Sequence, residues 1–367
     1  MIERVRPVLA VILGLLLAGA LTSPAYADPV RDAQWHLTYL DIARVHQVAQ
    51  GVGVSVAVID TGINGNHPDL VGNVLPGVSL VPGRPSNGWE DVDSHGTAMA
   101  AIIAAHGHDS GGVLGIASSV KVVPIQVDSG AVRGDSSLLA RAVDAAVAHG
   151  VRVISISLGA GTSDLLQAAV ARALQADVVV VAAVGNKPLV ETIDWPARYD
   201  GVVAVGAVDR NGNHADFSVT GRQVLISAPG VDIESVGSGN QYGKGTGTSA
   251  STAIVAGVVA LIRSKFPTMS ATEVIHRLTA TAVDKGPPGR DPEYGYGVVN
   301  PYAALTADVP PIDGSPAPSP STSASGQSQA SRPGGDGGGR AGLAVGLILG
   351  VGAVVAITWL VLRRRKA

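Results

Sequence analysis

The sequence predicts an α/β protein built on a doubly wound parallel sheet with helices on both faces, followed by a C-terminal transmembrane helix. Three observations carry this. Short Val/Ile-rich runs recur at Val54–Ile59, Val120–Val127, Val151–Ser157, Val178–Ala183 and Val202–Val208. Continuous apolar runs of that length suit strands covered on both faces. Amphipathic helical patterns alternate with them, as expected where crossover helices join parallel strands. Near the end, residues 341–362 carry no charge and are followed at once by Arg363-Arg364-Arg365-Lys366.

Each element follows in chain order. Arg4 and Arg6, an apolar run Val8–Leu21 and the small-x-small site Ala25-Tyr26-Ala27 make residues 1–27 a signal peptide. Residues 28–50 are an N-terminal extension, expected to wrap the domain and stay attached. The main folded domain spans 51–308. Within it, Ser137–His149 sets Leu138, Leu139, Ala142, Val143, Ala146 and Val147 on one stripe and stops at Gly150. Asp164–Ala176 repeats the pattern, with Ser163 or Asp164 as N-cap. Ser270-Ala271-Thr272-Glu273 reads as a capping box that opens a helix to about Thr281.

Residues 309–340 are Pro, Ser, Gly and Ala with almost no large apolar side chain, the composition of a tether that cannot bury enough surface to fold. At about 1.5 Å per residue, the span 341–362 reaches roughly 30 Å, the thickness of a bilayer core. The basic tail 363–367 stays cytoplasmic. Both hydrophobic ends therefore predict a single-pass protein of the cell membrane, with the folded domain 51–308 extracytoplasmic and the C-terminus cytoplasmic.

The 367 residues include no cysteine, so an exported domain must be held by its core alone. Residues 28–308 carry 26 acidic and 18 basic side chains, a net charge near −8, which argues against nucleic acid as a partner.

Three segments carry chemistry. Val54–Ile59 runs as a buried strand into Asp60-Thr61-Gly62. His95-Gly96-Thr97 opens an apolar helix, and Gly247-Thr248-Ser249 opens another, Ser249–Lys265. A serine hydroxyl needs a base to attack a carbonyl at neutral pH. Histidine is the neutral-range base, and an aspartate can hold its tautomer and stabilise the imidazolium. Taken singly, these are an N-capping serine, a surface histidine and a turn aspartate. Taken together, in the order Asp…His…Ser that subtilisin uses, they form a nucleophilic constellation.

The agreement extends further. Asp60-Thr61-Gly62, His67-Pro68-Asp69-Leu70, His95-Gly96-Thr97, Ser157-Leu158-Gly159, Gly185-Asn186, Ala228-Pro229-Gly230 and Gly247-Thr248-Ser249 occur in that order across about 51–305. In this the chain resembles the subtilases, and the resemblance implies a subtilisin-like fold. It further implies a serine endopeptidase that hydrolyses peptide bonds in peptide or protein substrates through an acyl-enzyme. Asp60, His95 and Ser249 would be the triad. Asn186 and the Ser249 N–H would donate to the oxyanion. Ser157, Leu158 and Gly159 would pair with an extended substrate main chain, with Asp128–Gly134 as the opposing edge.

Neither a cofactor nor a metal is called for. His67, His106, His108, His149, His214 and His276 lack ligand spacing and are expected at the surface or in turns. Glu90, Asp91 and Asp93 read as a solvated acidic turn.

Gln34-Trp35-His36-Leu37, the Pro-rich tether and the C-terminal span are similar to the mycosins, membrane-anchored subtilases associated with type VII secretion in actinobacteria. That similarity implies secretion components as partners. It also leaves an alternative, a structural subunit bracing a secretion complex with proteolysis secondary. The chain departs from the pattern at Ala253, where a proline is usual, at Ala101 for glycine, at Met99 for valine, and in having no cysteines.

Overall fold

β1 (Ser55–Asp60) lies between two parallel neighbours and is buried from Val56 to Asp60. Its side chains alternate between faces. Val56 and Val58 enter one core, while Ala57 and Ile59 enter the other. Because both faces are apolar, the strand shows no polar alternation. The same holds for β5 (Lys121–Gln126), β6 (Val153–Ile156), β7 (Val179–Ala183) and β8 (Val203–Val208). With the short β2 (Val78–Ser79) and β9 (Ile226–Pro229) they form a sheet of order β2-β5-β1-β6-β7-β8-β9, every pair parallel. Two small antiparallel pairs, β3 (His106–His108) with β4 (Gly111–Leu114) and β10 (Ile233–Val236) with β11 (Tyr242–Gly245), complete it.

This computed structural model describes residues 28–312, apart from 92, 109–110 and 128–133. The expected signal peptide 1–27, the span 341–362, the tail 363–367 and the tether from 313 onward lie outside the described residues, as do 128–133 of the expected opposing edge. Among the described residues no helix is long and apolar enough to cross a membrane.

Helices cover both faces. Three short ones, α1 (Pro29–Ala33), α2 (Trp35–Tyr39) and α3 (Ile42–Val45), precede β1. On the first face pack α4 (His95–Ala104) and α7 (Thr248–Lys265), and on the second α5 (Ser136–Ala148) and α6 (Asp164–Gln175). α8 (Ala271–Ala280) and α9 (Pro301–Thr306) close the domain. Ser163 Oγ accepts from Leu166 N–H at 3.1 Å, which makes Ser163 the cap of α6. Only half of the expected capping box forms. Ser270 Oγ accepts from Glu273 N–H at 3.2 Å, but the Glu273 carboxylate turns to Ile312 N–H at 3.0 Å. Tertiary demand from the departing chain outweighs the local reciprocal bond.

α7 is buried continuously from Ala250 to Arg263, as a helix apolar all round must be. It runs unbroken through Ala253, which is fully buried. Arg263 anchors its far end, donating to the Asp177 carboxylate at 3.1 Å, the Asp177 carbonyl at 2.6 Å and the Met269 carbonyl at 2.5 Å. Residues 28–50 hydrogen-bond across to the domain. Gln34 bonds both Leu114 N–H, at 2.8 Å, and the Leu114 carbonyl, at 3.0 Å, while Arg31 Nε donates to the Gly112 carbonyl at 2.9 Å.

Packing of α7 yields a stability test. Gly257→Ala gains roughly 1 kcal/mol of helix propensity. Its Cβ, however, would lie 2.7 Å from the Ile116 Cβ, an atom that no rotamer change can move aside. Overpacking of that kind costs about 1–3 kcal/mol, which exceeds the propensity gain by up to about 2 kcal/mol, so the substitution should lower the thermal midpoint by up to about 4–8 °C. A raised midpoint would show the contact to be compliant.

Candidate active site

Parallel strands deliver their carboxyl ends to one edge, and ligands of such sheets bind there. Asp60 is the last residue of β1, Ser157 follows the end of β6, and Asn186 lies three residues past β7. α4 and α7 bring their N-termini to the same edge, presenting His95 and Ser249.

Asp60 is 1% exposed. Its Oδ1 accepts from Thr61 N–H at 2.8 Å and from His95 Nδ1–H at 2.7 Å. Oδ2 has no partner among the described residues. With Nδ1 committed as donor, Nε2 is the nitrogen left to exchange a proton, and the ring is about a third exposed. The Asp60 charge raises the imidazole pKa to about 9 from 6.5, helped by their hydrogen bond and by Asp93 and Asp91, while burial opposes the shift.

Ser249 Oγ donates to the Ser157 carbonyl at 3.4 Å, and Ser157 Oγ donates back to the Ser249 carbonyl at 3.2 Å. The serine is thereby stitched to the segment Ser157–Gly159. Asn186 Oδ1 receives Thr248 N–H at 2.9 Å and Thr248 Oγ1–H at 3.1 Å. A backbone N–H can only donate, so this contact fixes the carboxamide with its oxygen toward α7 and frees the NH₂ to donate elsewhere. A cleft of about 180 Å³ runs between Ser157–Gly159 and Gly185–Asn186, ending at Ser249. The Gly159 carbonyl already accepts from Gly134 N–H at 2.8 Å, so that atom of the edge segment is occupied.

The acidic turn is not simply solvated. Asp91 is half-buried and its carboxylate accepts from Thr61 Oγ1 (2.8 Å), Ser94 N–H (3.0 Å), Thr97 N–H (2.8 Å) and Thr97 Oγ1 (2.5 Å). Thr61 Oγ1 in turn accepts from Gly96 N–H at 3.0 Å. Asp91 thus caps α4 and ties it to the end of β1, because Ser94 makes no side-chain cap. A carboxylate four residues before a helix-opening histidine was the available signal. Asp93 accepts from His95 N–H at 2.9 Å, and Glu90 pairs with Arg84 at 2.6 Å.

One histidine expectation also changes. His67 is 1% exposed, its Nδ1 accepting from Asp69 N–H at 3.2 Å. Asp69 is fully buried and draws donors from Val113 N–H at 2.9 Å, from Tyr242 O–H at 3.0 Å and from His108 Nδ1–H. A buried carboxylate demands such donors, so this block is structural. Among the described residues no group of three or more His, Asp or Glu side chains could hold a metal ion.

Known proteins resemble this chain over most of its folded domain. The family model described as the Subtilase family matches residues 51–297. Subtilisin DY of Bacillus licheniformis is 41% identical over 259 residues, 70% of this chain and 92% of its own length. The crystal structure of MycP1 from the ESX-1 type VII secretion system aligns at a TM-score of 0.69 with 32% identity, covering 78% of this chain and 88% of that one. MycP1 from Mycobacterium smegmatis aligns at 0.67 with 32% identity, covering 79% and 87%.

The charges around His95 set a titration. Its imidazole proton signals should move with pH near 9, and Asp60→Asn, which removes the largest cause, should bring the transition back toward 6.5. NMR across that range reads both. A wild-type transition at or below 6.5 would mean that burial outweighs the carboxylates.

Proposed function

This chain belongs to the subtilase family as a subtilisin-like serine protease, and from that premise we propose that Asp60, His95 and Ser249 are its catalytic triad. Ser249 Oγ attacks the scissile carbonyl as His95 Nε2 takes its proton, and Asp60 holds the imidazole and the charge it gains. An acyl-enzyme forms on Ser249. The same imidazole then serves the leaving amine and the hydrolytic water. Asn186 NH₂ and the Ser249 N–H donate to the oxyanion. The observation that carries this reading is the pairing of His95 Nδ1 with buried Asp60 at 2.7 Å, on the same sheet edge as an Asn186 carboxamide oriented by Thr248. Ser157, Leu158 and Gly159 take the substrate main chain, with the reciprocal Ser157–Ser249 bonds in support.

With His95 raised to about 9, the imidazolium predominates at neutral pH and cannot act as base. Activity should therefore climb on the alkaline side of neutrality.

Ser249→Ala should abolish labelling by a fluorophosphonate probe and peptide hydrolysis while the domain stays folded. Asn186→Ala should lower kcat by about 10²–10³-fold, a magnitude taken from subtilisin itself, with little change in KM, because the oxyanion exists only near the transition state. Labelling that survives in Ser249→Ala would remove the serine from its role. A change confined to KM would remove Asn186 from the oxyanion.

The finer reading concerns place. Residues 1–27, the tether 309–340, the span 341–362 and the tail 363–367 support an extracytoplasmic protease anchored in the cell membrane. The likeness to MycP1 from the ESX-1 type VII secretion system supports work beside such a system. Protease added to spheroplasts should cut within 309–340 and release a soluble fragment of about 28–308. A chain that is cut only after lysis would overturn this topology.

A further inference from the structure

A groove of about 850 Å³ lies at the amino ends of β8 and β9, the sheet edge opposite Ser249. Arg198, in the segment entering β8, and Arg222, in the segment entering β9, line it together with Arg290, Trp195, Tyr199 and Leu174. Arg290 is fixed there, its Nη2 donating to the Arg222 carbonyl at 2.9 Å and the Val224 carbonyl at 3.2 Å. The Arg198 guanidinium stands over the Trp195 ring, 4.5 Å from its centroid. All three arginines are exposed, and among the described residues none of them forms an ion pair, whereas Arg84, Arg152, Arg172 and Arg263 each do. Among the same residues, neither Arg198 nor Arg222 spends a side-chain donor on a hydrogen bond. Asp200 is the one carboxylate among the described lining residues.

In a domain of net charge near −8, three guanidinium groups without carboxylate partners reverse the sign of the local field. We propose that this groove docks an extended acidic segment of a second protein, at the edge of the sheet remote from Ser249. Guanidinium groups take carboxylates in bidentate pairs and stack on aromatic faces. Trp195, Tyr199 and Leu174 offer apolar surface to the side chains that stand between the acidic ones. One exposed pair is worth at most about fivefold in affinity, so recognition needs several carboxylates at once, which a small anion does not bring. The chain's own tether does not match: over 309–340, Asp313 and Asp336 are balanced by Arg332 and Arg340. A peptide held beside Ser249 lies at the carboxyl ends of the strands. Docking at the amino ends therefore holds a partner while the cleft stays open.

The test is fluorescence anisotropy with the full-length chain carrying Ser249→Ala, so that no probe is cut. The probe is a labelled peptide of about eight residues that alternates glutamate with leucine, and its control has glutamine for every glutamate. The glutamate peptide should bind at least about tenfold more tightly, and raising the salt from about 0.05 to 0.5 M should remove most of that difference. Arg198→Gln/Arg222→Gln removes two charges that make no hydrogen bond among the described residues, so the fold should stand. In that background the two peptides should bind alike. Equal binding of both peptides to the parent chain would overturn the assignment, and so would undiminished binding of the glutamate peptide to the folded arginine variant. If that variant does not fold, the peptide pair and its salt dependence decide alone.

Two further arms identify the occupant. With Ser249 intact, Arg198→Gln/Arg222→Gln should hydrolyse an uncharged peptide as the wild type does. An acidic extension on that peptide should leave its KM unchanged, because the groove and the cleft lie at opposite edges. A KM lowered by the extension in the wild type and restored in the variant would make the occupant the substrate, and would overturn docking of a second protein. Sedimentation of the Ser249→Ala chain should show no self-association that depends on Arg198 and Arg222. A dimer lost in the arginine variant would give the groove to a second copy of this chain instead. The anisotropy arm needs no catalysis, so failure to cleave any peptide would count against the triad and not against this groove.

Discussion

Asp60 ends the central strand almost wholly out of water, and a carboxylate so placed must be met by donors or leave an uncompensated charge in the fold. Its two donors, Thr61 N–H and His95 Nδ1–H, come from different elements, so this one group dictates how α4 approaches the sheet. The approach is close enough to forbid side chains. A Cβ on Gly96 would lie 2.1 Å from the Gly62 carbonyl oxygen and 3.1 Å from the Asp60 Cβ. Gly62 itself sits at φ 110°, and a Cβ there would lie 2.0 Å from the Glu90 carbonyl oxygen. Asp91 then closes the unit by accepting from both Thr61 and Thr97. The Asp-Thr-Gly and His-Gly-Thr blocks are one packing solution, with each glycine and threonine demanded by the pairing of the two charged groups.

That coupling explains what was legible in the sequence. Central strands and helices were readable because burial on two faces writes itself as unbroken Val/Ile runs, and because Ser163 caps its helix by a local rule. β9 was missed: four residues ending in Pro229 offer no periodicity, and its pairing with β8 is set from outside. β2 is two residues long, and half of the four residues of β11 are glycine, so neither carries a pattern of its own. Asp91 and His67 were misjudged for one shared reason. Acidic and histidine side chains read as solvated unless their partners are known, and those partners lie across the fold. Asp91 serves the N–H groups of a helix beginning after it, and His67 sits beside a carboxylate buried by Val113 and Tyr242.

Electrostatics at the site is a contest between unlike sources. The N-terminus of α4 carries roughly half a positive charge, which by itself favours neutral imidazole. Against it stands the full charge of Asp60 in direct contact, supported by Asp93 and Asp91. A whole charge at hydrogen-bond distance outweighs a diffuse half charge, so the imidazolium is favoured. The domain's acidic excess reinforces the sign of the field.

The opposite requirement holds at α7, where on the proposed reading negative charge develops on an oxygen. There the helix end supplies positive potential. Asn186 is held with its oxygen toward Thr248 N–H, which leaves only its donor side for a ligand. Gly247 keeps that side open, since a Cβ there would crowd Asn186 Nδ2 at 3.3 Å. Donors that must reorganise as charge appears give back part of their stabilisation, whereas fixed ones do not. Here the fixing is supplied by burial. α7 is enclosed from Ala250 to Arg263, and Arg263 ties its far end to Asp177 and Met269. Enclosure on every side and an anchor at the far end leave its first turn little freedom to move. The cost of burying an arginine at one end of the helix is therefore linked to the rigidity of the donors at the other.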